Sequence, residues 1–430
     1  MNDVQKMLDE IPMSKNQTVA VIIIGLLSAL DGYDVLAMTF AAPGVGTEFG
    51  IGKAALGIAL SSGLAGMALG SFFMAPLGDR FGKRAIVLAS LVFMGVGMLM
   101  SAFVTSVIEL SAWRIFTGIG IGALVPVIAP LAAEFSNARR RRLAMAVMSF
   151  GYPVGGTIGG FAAAALLQYY SWHSVFLLGA AMSALLLLAA LAWLPEPPAF
   201  LIAKQPANAL ERLNTYLRRC GVNPVSTLPD VERSETGKTS YRQIFADGHW
   251  RSTLLITAVN LLFILSVYYI LSWMPQLVAD LGHTASFATL TSALACSAGV
   301  AACIAFGLFG TGIPLRWLAA TQMIGLAVAI VAFGLASQGT VVLLLMAAAV
   351  GIFLYSGILG LYSAIVESFS PRFRSTGVGF VMGCGRVGGA ITPALAGWLF
   401  EIGMSRDIVS IIMSLGALAA GILMISWRQQ

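Results

Sequence analysis

The sequence predicts an all-α membrane protein whose twelve transmembrane helices form two pseudo-symmetric six-helix bundles. Three observations carry that prediction. The first is composition: of 430 residues, 58% are hydrophobic and only 10% charged, whereas a soluble domain carries about 25% charged residues. The second is that the apolar residues fall in long runs, and a helix crossing the bilayer needs about 20 of them at 1.5 Å per residue. The third is a repeat that relates the two halves of the chain. Together these exclude soluble enzymes, secreted modules and disordered chains.

Segment 1–17, MNDVQKMLDEIPMSKNQ, is polar and mixed in charge. An apolar stretch of about 25 residues follows it, too long for the apolar core of a cleavable signal peptide, and is read as the first span. Spans are placed at 18–43, 55–77, 85–104, 108–133, 143–168 and 175–194, then at 251–279, 287–309, 317–335, 339–367, 375–401 and 407–426. The even number puts both termini on one side. The only long polar segment, 195–250, divides an N-terminal bundle (1–194) from a C-terminal bundle (251–430). Within it, PANALERLNTYLRR (206–219) reads either as an amphipathic helix lying on the membrane surface or as solvated linker.

Basic residues set the orientation. With the N-terminus inside, the inner segments, counting Arg251 at the inner edge of its span, hold 21 of the 25 Lys and Arg, the outer loops hold Lys53 and Arg406, and the span interiors hold Arg114 and Arg386. That asymmetry places both termini in the cytoplasm and the chain in the cytoplasmic (inner) membrane as a multi-pass protein. The net charge of +6 does not imply a nucleic-acid partner, because the basic clusters form no stripe interleaved with aromatics. Three of the four cysteines (Cys220, Cys296, Cys303, Cys384) lie in apolar runs and none is spaced CxxC, so neither a disulfide framework nor a metal site is expected. His173, His249 and His283 are dispersed, which argues against a membrane enzyme, and no cofactor is expected.

The repeat is visible in paired features. Glu134 and Arg141 are matched by Glu367 and Arg374, and Val154-Gly155-Gly156-x-Ile158 by Val387-Gly388-Gly389-x-Ile391, with Gly118 falling on Gly351 at the same offset. One position short of it, Gly78 and Arg84 fall on Gly310 and Arg316. Two homologous halves around a midplane site are the mark of secondary transporters that work by alternating access.

Four charges lie deep in spans. Asp31 is about 20 Å into span one and Asp34 follows at i+3, on the same face. Arg114 lies about 20 Å and Arg386 about 16 Å from the inner ends of their spans. A charge at a helix centre costs roughly 2.5–3.5 kcal/mol on insertion scales, so these four should face a polar cavity or one another. Asp31 and Asp34, alternating between a proton and Arg114, are the expected proton-coupling groups. Arg386 holds a permanent charge with bidentate geometry, which suits an anionic substrate. The competing reading is a structural Asp–Arg pair, with Arg386 bonded to helix carbonyls. Arg386 replaces Pro153 of the first half, so it breaks the symmetry of the scaffold. Gly118, Gly120, Gly122, Gly155, Gly156, Gly159 and Gly160 are read as sites of close helix packing.

The loop between spans two and three reads Gly78-Asp79-Arg80-Phe81-Gly82-Lys83-Arg84 and resembles the G-x-x-x-D-R-x-G-R-R signature of the major facilitator superfamily, with Ala75 in place of the first Gly. Asp79, Arg80 and Arg84 are expected to latch an inner gate, and Glu134 and Glu367, at inner helix ends, to form gate or scaffold salt bridges. The second-half loop, Gly310–Arg316, has lost its acid.

A narrower resemblance, to the aromatic acid:proton symporter branch of that superfamily, runs through most of the chain. It rests on Asp31-Gly32-Tyr33-Asp34, Arg114-Ile-Phe-Thr-Gly118, Trp172 before Val175-Phe176, Leu194-Pro195-Glu196, Trp273-Met-Pro275, Arg374-Ser-Thr-Gly377 and Gly383-x-Gly385-Arg386-x-Gly388. The resemblance implies the major facilitator fold and proton-coupled import of a benzoate-like acid, with the span-one aspartates required. Tyr33, Tyr152, Trp273 and Tyr355 are the candidate pocket aromatics, each equally readable as packing. Val35, the Val127-Ile128-Ala129 run and His173 depart from the branch pattern and leave nicotinate, muconate or a lactone open as substrate. A multidrug exporter is disfavoured because Tyr152-Pro153-Val154-Gly155-Gly156 departs from the exporter element G-P-x-x-G-G. A non-transporting sensor is disfavoured because the linker and tails have no room for a signalling domain. The expected partners are a small organic anion, protons and the lipid bilayer, for a monomeric chain.

Overall fold

The computed structural model describes residues 7, 11–74, 77–206, 208–228, 250–309, 313–337, 339–369 and 374–427. In chain order the helices are α1 (Lys15–Phe49), α2 (Lys53–Leu69, continued by a π-helical turn over Gly70–Met74), α3 (Gly78–Phe81), α4 (Lys83–Ser101), α5 (Val107–Glu134), α6 (Arg141–Leu166), α7 (His173–Trp193), α8 (Pro198–Lys204) and α9 (Ala209–Arg219). The second half continues with α10 (Trp250–Ala279), α11 (Ala285–Phe309), α12 (Leu315–Leu335), α13 (Thr340–Glu367), α14 (Arg374–Glu401) and α15 (Arg406–Ser426). Each of the twelve expected spans coincides with one of the long helices. Eleven of these are long and apolar enough to cross a membrane. The other is α6, whose Gly151, Gly155, Gly156, Gly159 and Gly160 lower its hydropathy.

Helix ends are set by capping, which extends α1 beyond the apolar run. Ser14 accepts the Gln17 N–H at 3.2 Å and the Gln17 side chain accepts the Ser14 N–H at 2.9 Å, a reciprocal cap that satisfies two orphan donors. At the other end Gly50 takes a left-handed φ of 58° and stops the helix.

In the first bundle α1 packs on α6 and α7, α2 on α5, and α4 on α5 and α7. In the second, α10 packs on α14 and α15, α11 on α13, and α12 on α13 and α15. The bundles meet along α2–α14, α6–α11 and α1–α10. The sequence repeat is physical. A Cβ on Gly118 would strike the Gly63 carbonyl of α2, and one on Gly351 the Ala295 carbonyl of α11. Gly155 presses on Ala29 and Gly156 on Leu36, while their equivalents Gly388 and Gly389 press on Leu261 and Tyr268. The small residues thus let the same pairs of helices approach closely in both halves.

The segment after α7 corrects one expectation. The α9 helix is amphipathic, but its apolar face does not lie on a membrane. Ala209, Leu213, Tyr216 and Leu217 are buried, with Tyr216 tilted on Phe135 at the end of α5 (ring centroids 6.2 Å). Asn16 donates to the Arg219 carbonyl at 3.1 Å. This segment is therefore docked beneath the first bundle. The part of the linker over 229–249 lies outside the described residues.

Candidate functional site

The site begins on α1, where Asp31 and Asp34 are both buried. Residues three apart on a helix differ by about 60° in direction, and the packing turns that offset into two destinations. Asp34 faces Arg114 inside the first bundle. Asp31 faces the second bundle, where the charge acting on it is that of Arg386. The two aspartates are therefore acted on by different arginines, and among the described residues neither carboxylate forms an ion pair with its arginine.

Arg114 is buried on α5. Its Nη2 donates to the Asp34 backbone carbonyl at 2.9 Å, its Nη1 reaches Met98 Sδ at 3.3 Å, and the guanidinium lies 5.7 Å from the centroid of the Phe176 ring. The Asp34 carboxylate oxygens, Asp31 Oδ1 and Arg114 Nε have no hydrogen-bond partner among the described protein groups. A small cavity next to this pair is lined by Thr39, Gly63, Arg114, Tyr268 and Ser272, so α10 of the second bundle closes a space opened by α1, α2 and α5.

Arg386 is half-buried on α14 and donates from Nη1 to the Ser71 hydroxyl across the bundle interface. Ser71 sits in the π-helical turn of α2, a local irregularity of a kind found often at functional sites, and bonds back to the Gly122 and Met67 carbonyls at 2.7 and 2.9 Å. Around Asp31 and Arg386 stand three phenols: Tyr152 on α6, Tyr268 on α10 and Tyr362 on α13. Tyr152 also faces Cys296, whose Sγ lies 3.2 Å from the Tyr355 hydroxyl. The assembled group is one carboxylate, one guanidinium and several hydroxyls drawn from both bundles. It can hold an organic anion by its charge and place a protonatable acid beside it.

Two sequence candidates stand apart from this group. Tyr33 is fully buried; its hydroxyl donates to the Val175 carbonyl at 2.5 Å and its ring packs on Gly159 and Gly179. Trp273 is fully buried too, its Nε1 donating to the Pro393 carbonyl at 3.1 Å and its ring tilted on Phe400. Both polar tips are committed to backbone, so these residues build the helix packing and do not line the site. Conversely, sequence reasoning missed Ser71, Tyr268 and Tyr362. Counting depth along each span for polar residues, as for the four charges, would have picked out Tyr268; nothing in the sequence marks Ser71.

Two of the expected gate residues, Glu134 and Arg84, bond within the first bundle. Lys83 donates to Glu134, tying α4 to α5, and Arg84 Nη2 donates to the Leu191 carbonyl of α7 at 2.9 Å. Glu196 lies against Arg84, and burial pushes its carboxyl above the usual range although Arg84 pulls it back. Arg80 is exposed over the Phe81 ring, and Glu367 is exposed at the end of α13. None of these described contacts crosses to the second bundle, and for Glu134, read from the sequence as a gate or scaffold residue, the bond to Lys83 is of the scaffold kind. The side chains of Asp79 and Arg374 lie outside the described residues. Among the described residues no group of His, Cys, Asp and Glu is placed to hold a metal ion.

Comparison with known proteins bears on the same arrangement. Residues 22–321 match the Major Facilitator Superfamily. The chain is 30% identical to a gallate transporter of Pseudomonas putida, over 98% of this chain and 94% of that protein. It is 29% identical to the 4-hydroxybenzoate transporter PcaK of the same organism, over 93% and 91%. Among solved structures it resembles a D-xylose-proton symporter (TM-score 0.73, 15% identity, 95% of this chain and 97% of that one). It also resembles the nucleoside transporter NupG (TM-score 0.71, 13% identity, 96% and 99%).

Proposed function

The chain belongs to the major facilitator superfamily, and from that premise we propose that it is a proton-coupled symporter importing an aromatic carboxylic acid by alternating access. The observation that carries the proposal is that the charge of Arg386 in one bundle acts on Asp31 in the other, amid Tyr152, Tyr268 and Tyr362. The near-full-length likeness to transporters of gallate and 4-hydroxybenzoate supports an aromatic acid as the cargo.

The coupling follows from charge balance. Asp31 and Arg386 together are neutral. A substrate carboxylate that takes the Arg386 guanidinium in a bidentate grip leaves Asp31 as an uncompensated charge in a low-dielectric interior, which is costly. A proton on Asp31 removes that charge, so anion and proton enter the site together. Asp34, on the same helix as Asp31, is the second protonatable carboxylate and with Arg114 of α5 completes the proton-coupling group. Arg386 anchors the carboxylate, with Tyr152, Tyr268, Tyr355 and Tyr362 bordering the ring. In this reading 1–194 and 251–430 are the moving halves and 195–250 their cytoplasmic linker. The protein works as a monomer in the inner membrane with both termini inside, in accord with the distribution of Lys and Arg.

The test uses purified protein in proteoliposomes with an imposed pH gradient, acid outside, and labelled benzoate, 4-hydroxybenzoate, gallate and nicotinate. Accumulation of at least one aromatic acid above equilibrium, abolished by a protonophore, is expected. Binding without accumulation sinks the symport reading, and accumulation of non-aromatic anions alone sinks the substrate class.

A further inference from the structure

The seam between α2 and α14 is fastened by charge at its end remote from the termini. There α2 starts on Gly52, which has no side chain to cap the helix, and the cap comes from the other bundle. Glu401, the last residue of α14, accepts the Ala54 backbone N–H through Oε2 at 3.2 Å. Its carboxylate also lies so close to Gly52 that a Cβ there would be 2.5 Å from Oε2 and 2.7 Å from Oε1. Beside it, Lys53 Nζ donates to both carboxylate oxygens of Asp280, at 2.6 and 2.7 Å. One turn back on α10, Gln276 Nε2 steadies the Asp280 Oδ1 at 2.8 Å. Two carboxylates of the second bundle, Asp280 and Glu401, thus converge on the first residues of α2, where the helix dipole favours negative charge.

We propose that residues 52–54, Asp280 and Glu401 form a latch that shuts the central site toward the face opposite the termini and parts each time the site opens there. Unlike the described ion pair of Lys83 with Glu134 on the terminal face, its contacts run between bundles. It is also built to be weak. The Lys53 and Asp280 side chains are 32% and 40% exposed, and water competes with such pairs, so each contact shifts an equilibrium by only a small factor. Below the latch the seam is packed through small residues. A Cβ on Gly57 would meet the Pro393 carbonyl, Gly397 lies against the Lys53 carbonyl, and Ser61 Oγ accepts the Ala394 N–H at 3.0 Å. The glycines let backbone approach backbone there and Ser61 bonds across the seam, which brings the two bundles into close contact below the latch. The same two helices carry Ser71 and Arg386 farther along. Glu401 is about 22 Å from Arg386 at 1.5 Å per residue, so the substrate arginine and the latch ride on one helix.

Hydrogen exchange measured by mass spectrometry on the full chain in lipid nanodiscs tests this without labels. Lys53→Met and Glu401→Ala should each speed exchange of amides in 50–60 and 394–404 about two- to fivefold. Together they should reach about tenfold, whereas Lys53→Arg stays at the wild-type rate and shows that charge and not side-chain identity matters. Unchanged exchange in both single variants overturns the latch. So does equal acceleration in peptides of the terminal face, which would mean general loosening. Because no substrate is present, these outcomes are independent of which acid is carried.

Discussion

At the scale of single residues, the site separates two roles that carboxylates and guanidiniums usually share. Arg386 bonds to a neutral hydroxyl, Ser71, so its charge is available to an incoming anion, whereas Arg114 is spent on the Asp34 carbonyl and the Phe176 face. Arg386→Lys keeps the charge but loses the planar fork. The expected result in proteoliposome uptake is a KM raised about tenfold, equivalent to about 1.4 kcal/mol, the scale of one charge-assisted hydrogen bond; an unchanged KM removes Arg386 from substrate binding. Asp31→Asn should abolish pH-driven accumulation while sparing counterflow exchange of unlabelled for labelled acid, because binding survives and only the proton carrier is gone. Loss of both activities would make Asp31 a structural residue. The deep charges were legible in the sequence because any polar group about 20 Å down an apolar run stands out. Their partners were not, since about 60° of helix rotation decides whether an aspartate sees Arg114 or Arg386, and only the packed neighbours fix that rotation.

At the scale of elements, glycine placement decides how closely helices approach, and two glycines give opposite predictions. Gly155 on α6 lies against the Ala29 carbonyl of α1, so Gly155→Val must push the helices apart, at a cost of about 1–3 kcal/mol or more. A lowered unfolding midpoint in detergent is the expected reading. Gly379 on α14 has open space where a Cβ would be, and Gly379→Ala should leave the midpoint unchanged or raise it, because alanine favours a helix by about 0.5–1 kcal/mol over glycine. Equal midpoints for the two variants would refute the packing account. The spans were readable from hydropathy alone, but the π-helical turn of α2 was not, since Gly-Ser-Phe-Phe-Met has the same apolar pattern whether it winds by four residues or five. The face on which α9 rests was equally hidden: its apolar stripe fits a membrane surface or Phe135, and tertiary contact chose Phe135.

At the scale of the whole molecule, the fold was legible because the chain repeats itself, and the mechanism lies where the repeat fails. Gly118 and Gly351, or Gly155 and Gly388, do the same work in each half. Asp31 and Arg386 have no such counterparts: in the proposed mechanism each bundle supplies one charge and the two act together. The four charges deep in the spans, two aspartates and two arginines, sum to zero. A monovalent acid entering as an anion with one proton on Asp31 preserves that sum, so the loaded and empty sites carry the same net charge. Transport should therefore be electroneutral. In proteoliposomes clamped with potassium and valinomycin, uptake of a monocarboxylic aromatic acid should follow the pH gradient and stay constant from zero to about 100 mV inside-negative, a field worth about 2.3 kcal/mol per elementary charge moved. Uptake that rises with an inside-negative potential at fixed pH would require a second proton per anion, and would shift the coupling from Asp31 alone to Asp31 and Asp34 together.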